Sequence, residues 1–86
     1  MDTDQIIDDL LERLSSLEHA RWARWQAYMH SKGSILPDGS LKIPRELVEH
    51  WQRQIDTPYE DLSEREKESD REQVREYLGI IKDALR

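Results

Sequence analysis

The sequence predicts a mainly α fold. It reads as one small domain over residues 1–86, with three to four helices around one core and residues 34–43 either irregular or a minimal β-hairpin. Three observations predict it. Apolar residues recur at spacings of three and four over 6–29, 47–55 and 74–85, the period of a single helix face. Pro37-Asp38-Gly39 supplies turn chemistry between two short apolar runs. Ser63 and Glu66 have capping-box spacing, in which a hydroxyl and a carboxylate satisfy orphan N–H groups at a helix start.

The elements follow in order. Asp2 is a candidate N-cap with Gln5 three residues on, and Ile6, Ile7, Leu10, Leu11, Leu14 and Leu17 form one apolar stripe. Asp4, Asp8, Asp9 and Glu12 fill the outer face at the positive end of the helix dipole. Ser15-Ser16 marks either a restart or two tolerated serines in one long helix that runs on through Trp22, Trp25 and Met29 and stops at Gly33. Ile35-Leu36 and Leu41-Lys42-Ile43 flank the turn. Strands so short are marginal unless packed on helices. Pro44 suits the first turn of a helix, where its missing N–H is not needed, and Leu47, Val48, Trp51 and Ile55 form the stripe that follows. Pro58 holds Thr57 extended and ends that helix. Tyr59 and Leu62 anchor a short crossing. The last helix starts at Ser63 and runs to about Leu85, with Val74, Tyr77, Leu78, Ile81 and Leu85 on its apolar face.

Composition narrows the function. A domain of 86 residues buries roughly 60–65% of its unfolded surface, so its core is thin. There is no cysteine, hence no disulfide, thiolate nucleophile or thiolate metal site. The opening Met1-Asp2-Thr3-Asp4 is unlike a secretory signal, and no run reaches the ~20 apolar residues of a membrane span. The expectation is a cytoplasmic protein with no membrane partner. A net charge of -6 disfavours DNA or RNA, which select basic surfaces.

Catalytic signatures are missing. Gly33, Gly39 and Gly79 are isolated and build no phosphate loop, and His19, His30 and His50 have no metal-ligand spacing. His19, near Arg21 and Trp22, is a weak candidate ligand contact. The expectation is a non-enzyme with no cofactor and no metal. Trp22, Trp25 and Trp51 are many for so short a chain that has no phenylalanine. Either the indoles fill the core, or some edges serve a site or an interface.

The last stripe carries a gap. Extended back toward the N-terminus it lands on Asp70 or Arg71 and then on Lys67, which are charged. Three readings stay open: a fraying helix end, a structural ion-pair network, or one wall of a polar pocket.

Two segments carry a likeness. His19-Ala20-Arg21-Trp22-Ala23-Arg24-Trp25, and downstream Thr57-Pro58-Tyr59-Glu60-Asp61-Leu62-Ser63 continuing to Asp70-Arg71, resemble the repeat domain of ryanodine receptors. The second segment is the more specific: proline, tyrosine, an acidic pair, leucine, then a capped helix with a lysine and an aspartate–arginine pair. The chain is similar to short free-standing members of that family from bacteria and their phages. The resemblance implies a helical domain with a small strand element and, for some members, recognition of adenine-nucleotide or ADP-ribose-like ligands. Where the family has a glycine–tryptophan stretch this chain has Tyr28-Met29-His30-Ser31-Lys32-Gly33, and Trp51 either replaces the lost aromatic or is core.

Two functions are expected from this. The first is a non-catalytic small-molecule binding module for a nucleotide-like signal, which in a phage would sequester a host signal. Trp22 and Tyr59 would stack on a base, Arg21, Lys67 and Arg71 would meet phosphate, and Asp70 would accept from a ribose hydroxyl or a base amine, or orient Arg71. The second is a protein-interaction domain, self-associating as a homodimer, with an exposed Trp25 or Trp51 at its centre.

Overall fold

Asp2 opens the first helix, its side chain accepting from the Gln5 backbone N–H at 2.9 Å. The computed structural model describes residues 2–86; Met1 lies outside them. Helix α1 spans Thr3–Ser31 without a break, so the serine pair lies within one long helix, both side chains in solvent. It ends where Gly33 approaches the hairpin. A Cβ built on Gly33 would stand 2.7 Å from Leu41 Cγ and 2.9 Å from the Lys42 carbonyl oxygen.

Strands β1 (Ser34–Ile35) and β2 (Leu41–Lys42) pair antiparallel, with Ser34 opposite Lys42 and Ile35 opposite Leu41. The turn between them is closed by Leu36 N–H to the Ser40 carbonyl and Gly39 N–H to the Leu36 carbonyl, with Gly39 at φ 88°. That left-handed conformation favours glycine.

Helix α2 spans Arg45–Asp56. Pro44 is its N-cap rather than a residue of the first turn, and its carbonyl accepts from Leu47 and Val48. A single 3-10 turn at Tyr59–Asp61 makes the crossing. Helix α3 spans Glu64–Ala84 and begins on the complete capping box: Ser63 accepts from Glu66 N–H, and the Glu66 carboxylate accepts back from Ser63.

Helices α1 and α3 are the main packing pair and run antiparallel. Arg13 meets Asp83 at 3.3 Å, Arg21 meets Tyr77 at 3.2 Å, and Arg24 meets Glu76 at 3.2 Å. Helix α2 bridges the other end. Its Trp51 packs edge-on against Trp25 of α1 with ring centroids 5.5 Å apart, and its Gln54 donates to Glu66 of α3 at 3.0 Å.

The arrangement is a slab of 54 × 35 × 16 Å. Its thin dimension leaves room for little more than one layer of helices, each ~10–12 Å across with side chains. The sequence implies one enclosed core, and here the structure differs: among the described residues no side chain is fully buried. Leu10, Leu14, Leu17, Tyr77, Ile80 and Ile81 are half-buried between α1 and α3. The reason is geometric. One layer shields the facing sides of its helices and leaves their flanks in water.

Candidate functional site

The uncovered flanks of α1 and α3 carry a row of exposed apolar side chains. On α1, Ile7 (56% exposed), Leu11 (63%) and Trp22 stand beside the half-buried leucines, one step further round the helix. On α3, Val74 and Leu78 (54%), with Leu85 at the C-cap, stand in the same relation to Tyr77, Ile81 and Ala84. Each residue advances the helix by about 100°, and in both helices the exposed set is displaced in the same rotational sense from the packed set. Because the two helices are antiparallel, equal displacements fall on the same side of the slab. The two flanks therefore share one apolar face.

A groove of about 440 Å³ opens at the edge of that face, lined by Tyr59, Asp70, Arg71, Val74, Arg75 and Leu78. The capping box holds this part of α3 rigid. The structure brings four of the sequence-predicted site residues together here. Lys67 lies 5.8 Å from the Tyr59 ring centroid, in cation–π position, and its side chain is only 18% exposed. Tyr59, Asp70 and Arg71 line the groove.

The cations in this cluster are already paired. Lys67 meets Glu64 at 3.7 Å, and Arg71 meets Glu64 at 3.3 Å and Glu68 at 3.4 Å. Arg75 holds Glu68 from the other side at 2.6 Å. Glu64 first, then Glu68, with Tyr59 adding to them, raises the Arg71 guanidinium above its ordinary value. Arg75 first and Arg71 second lower the Glu68 carboxyl. Among the described residues the Asp70 carboxylate has no ion pair or hydrogen bond, so Arg71 is oriented by glutamates and not by its sequence neighbour.

Arg21 and Trp22 lie elsewhere. Trp22 is on α1 and stacks on His19 at 6.1 Å, and neither Trp22 nor Arg21 lines the groove. Arg21 sits in the α1–α3 seam, donating from Nε to Glu18 at 3.1 Å and to the Tyr77 hydroxyl. Tyr77 in turn donates to Glu18. Arg21 first and Tyr77 second lower the Glu18 carboxyl from 4.5 to about 2. Sequence reasoning missed this trio. Its signal was Glu18 and Arg21, two opposite charges three residues apart inside an otherwise apolar stripe.

A second, wider cleft of about 1,100 Å³ lies where α2 bridges the ends of α1 and α3, lined in part by Trp25, Tyr28, Trp51, Ile55 and Asp70. Tyr28 stacks on Trp25 at 5.7 Å and carries Lys32 above its own ring at 5.2 Å. Trp51 therefore serves as the strut between α1 and α2, with its ring part-shielded. Among the described residues no cluster of three or more histidines and carboxylates has the arrangement to hold a metal ion, and no helix is long and apolar enough to cross a membrane. No protein-family model, curated protein or solved structure matches this chain.

Proposed function

We propose that this chain is a non-catalytic helical interaction module whose hydrophobic layer is completed by a protein partner. One observation carries the reading: among the described residues none is buried, while Ile7, Leu11, Trp22, Val74, Leu78 and Leu85 stand exposed along one face. A compact protein of 10.3 kDa exposes about 5,400 Å², and this chain exposes 7125 Å². Its radius of gyration is 17.4 Å, against about 12 Å for a compact domain of this length. A row of exposed apolar side chains on so extended a chain favours an interaction surface.

Small-angle scattering, molar mass and binding of a dye that fluoresces on apolar surfaces test this together. The expected result is either an assembly larger than the chain, or a dilute single chain that is extended and binds dye until a partner covers it. A single chain with a radius near 12 Å and no dye binding overturns the reading.

A second reading is favoured by one feature, the half-exposed Tyr59 ring with Lys67 and Arg71 beside it. A member of the ryanodine receptor repeat family would use such a groove for an adenine-nucleotide or ADP-ribose-like ligand, the ring stacking on the base and Arg71 meeting phosphate. Glu64 and Glu68 already occupy the two cations, which places this reading second. A thermal-shift screen with adenine nucleotides, ADP-ribose and cyclic dinucleotides tests it. A ligand at a hundred times its Kd adds about 2.7 kcal/mol. Arg71→Ala should abolish that gain and leave the melt of the empty protein nearly unchanged. No gain from any compound removes the reading.

A further inference from the structure

We infer that the occupant of the α1–α3 face is a second copy of this chain, stacked face to face to make a four-helix bundle. This rests on the interaction reading above and names its partner.

The surface area points to it first. The chain as a whole exposes about 1,700 Å² more than a compact protein of this mass, and the broad side of the slab, 54 × 35 Å, is large enough to carry that surplus. Covered in two copies at once, that is about 3,500 Å², within the 2,000–5,000 Å² of obligate homodimers and well above a transient encounter. A short peptide would leave most of the face wet.

The pattern on α1 points the same way. Ile7, Leu11, Trp22 and Trp25 stand exposed along one side of α1, Leu11 four residues beyond Ile7 and Trp25 three beyond Trp22, spacings that keep side chains on one helix face. The half-buried Leu10, Leu14 and Leu17 form a second row on the same helix, facing α3. A helix with two apolar rows has two neighbours in a bundle. Along its first half α1 has one, because α2 reaches it only at Trp25 and beyond.

The overhang of α1 supplies a third line. Arg13 lies opposite Asp83 and α3 ends at Ala84, so the helix from Thr3 to Asp9 runs past the end of α3, roughly 10 Å at 1.5 Å per residue. Ile7 on this stretch has no helix of its own chain across from it. An isolated stretch of this length is marginal as a helix in water. A second layer gives it a surface to lie on.

The test is the molar mass of the full chain across concentration, by light scattering after size exclusion and by sedimentation. The expected mass is twice the 10.3 kDa of the chain, shifting to one copy only on strong dilution. Leu78→Asp should weaken the dimer by about tenfold or more, as for a central interface residue. If that chain fails to fold, Val74→Gln and Leu11→Gln, which keep helix formers on the same face, should raise the dissociation constant while circular dichroism still reports helix. Ile35→Asp, at an exposed apolar residue on the hairpin and off this face, should leave the dimer intact. A folded single chain at all concentrations that still binds dye overturns the second copy and leaves the interaction reading standing. A compact single chain without dye binding overturns both. A dimer lost with Ile35→Asp but untouched by Leu78→Asp, Val74→Gln and Leu11→Gln overturns the assignment of the face.

Discussion

The Tyr77 hydroxyl donates to the Glu18 carboxylate across the α1–α3 seam, joining residues 59 apart in the chain. Arg21 donates to both of them, so one carboxylate gathers a phenol and a guanidinium in a single network. These are polar groups within a seam that half-buries apolar side chains, and a satisfied network of this kind helps fix how two helices align. Tyr77→Phe keeps the ring and removes the donor. The expected outcome is a melt lowered by a few degrees with helix content unchanged. A loss as large as that of a buried leucine would mean the network supplies much of the stability.

Acid should undo the same network. The lowered Glu18 carboxyl means that the folded chain binds a proton less readily than the unfolded chain does. The stability this contributes is complete above the ordinary value of 4.5 and is lost as pH falls toward about 2. Glu66 and Glu68, lowered chiefly by Gln54 and by Arg75, add losses of the same sign. The melting temperature should fall steadily below pH 4.5, and Glu18→Gln should flatten that slope. Tyr77 acts at the other end. Its hydroxyl is raised, chiefly by the Glu18 carboxylate, so its contribution is present below the ordinary 10.0 and lost in strong alkali.

Gly33 and Gly39 should respond to alanine for different reasons. At Gly33 the added Cβ meets Leu41 and the Lys42 backbone inside 3 Å, so the hairpin must move off the end of α1. Overpacking of this sort costs about 1–3 kcal/mol. At Gly39 nothing obstructs the Cβ, and only the positive φ opposes it, roughly 1 kcal/mol. Denaturant melts should rank Gly33→Ala as the more damaging. The reverse order would show that the hairpin floats free of α1.

Leu14 and Leu78 separate the chain's own packing from what association adds. Leu14 is half-buried against α3, and Leu14→Ala should cost about 2 kcal/mol at any concentration, the low end for a buried leucine. Leu78 is more than half exposed, so in dilute solution Leu78→Ala should be nearly silent. In the bundle it should rise to the cost of Leu14→Ala as the concentration increases. A cost for Leu78→Ala that does not change with concentration counts against association.

The helices were legible from the sequence because each rule involved is local. The capping box at Ser63–Glu66, the turn at Pro37–Gly39 and the stripes at 6–29 and 74–85 all act within a few residues, and each produced its element. Helices α1 and α3, which carry the two longest of these stripes, are the pair that pack together. The absence of a buried interior was not legible, since a stripe such as Ile7–Leu11–Leu14 says which side chains avoid water and not which molecule shields them. The charged gap at Lys67, Asp70 and Arg71 was found by extending the last stripe backward, and Lys67 is shielded as that extension implies. Its neighbours were harder to read. Glu68, three residues before Arg71, has the spacing of a helix ion pair, but Glu64 is seven residues away and reaches Arg71 only through the rotamers the two side chains adopt, and Trp22 stacks on His19 within its own helix.

The hairpin turn has a chemical consequence for how the protein ages. An Asp-Gly pair in a free peptide is prone to cyclise, the glycine nitrogen attacking the aspartate side chain and leaving an isomerised, kinked backbone. In Asp38-Gly39 both reactants are engaged elsewhere by hydrogen bonds. The Asp38 carboxylate accepts from the Ser40 backbone N–H at 2.9 Å and from its hydroxyl at 2.5 Å, which keeps it ionised and turned toward Ser40. The Gly39 N–H is engaged with the Leu36 carbonyl at 2.9 Å. The folded turn thus works as a chemical clock that runs slowly, and isoaspartate at residue 38 would record how long a given molecule has spent unfolded.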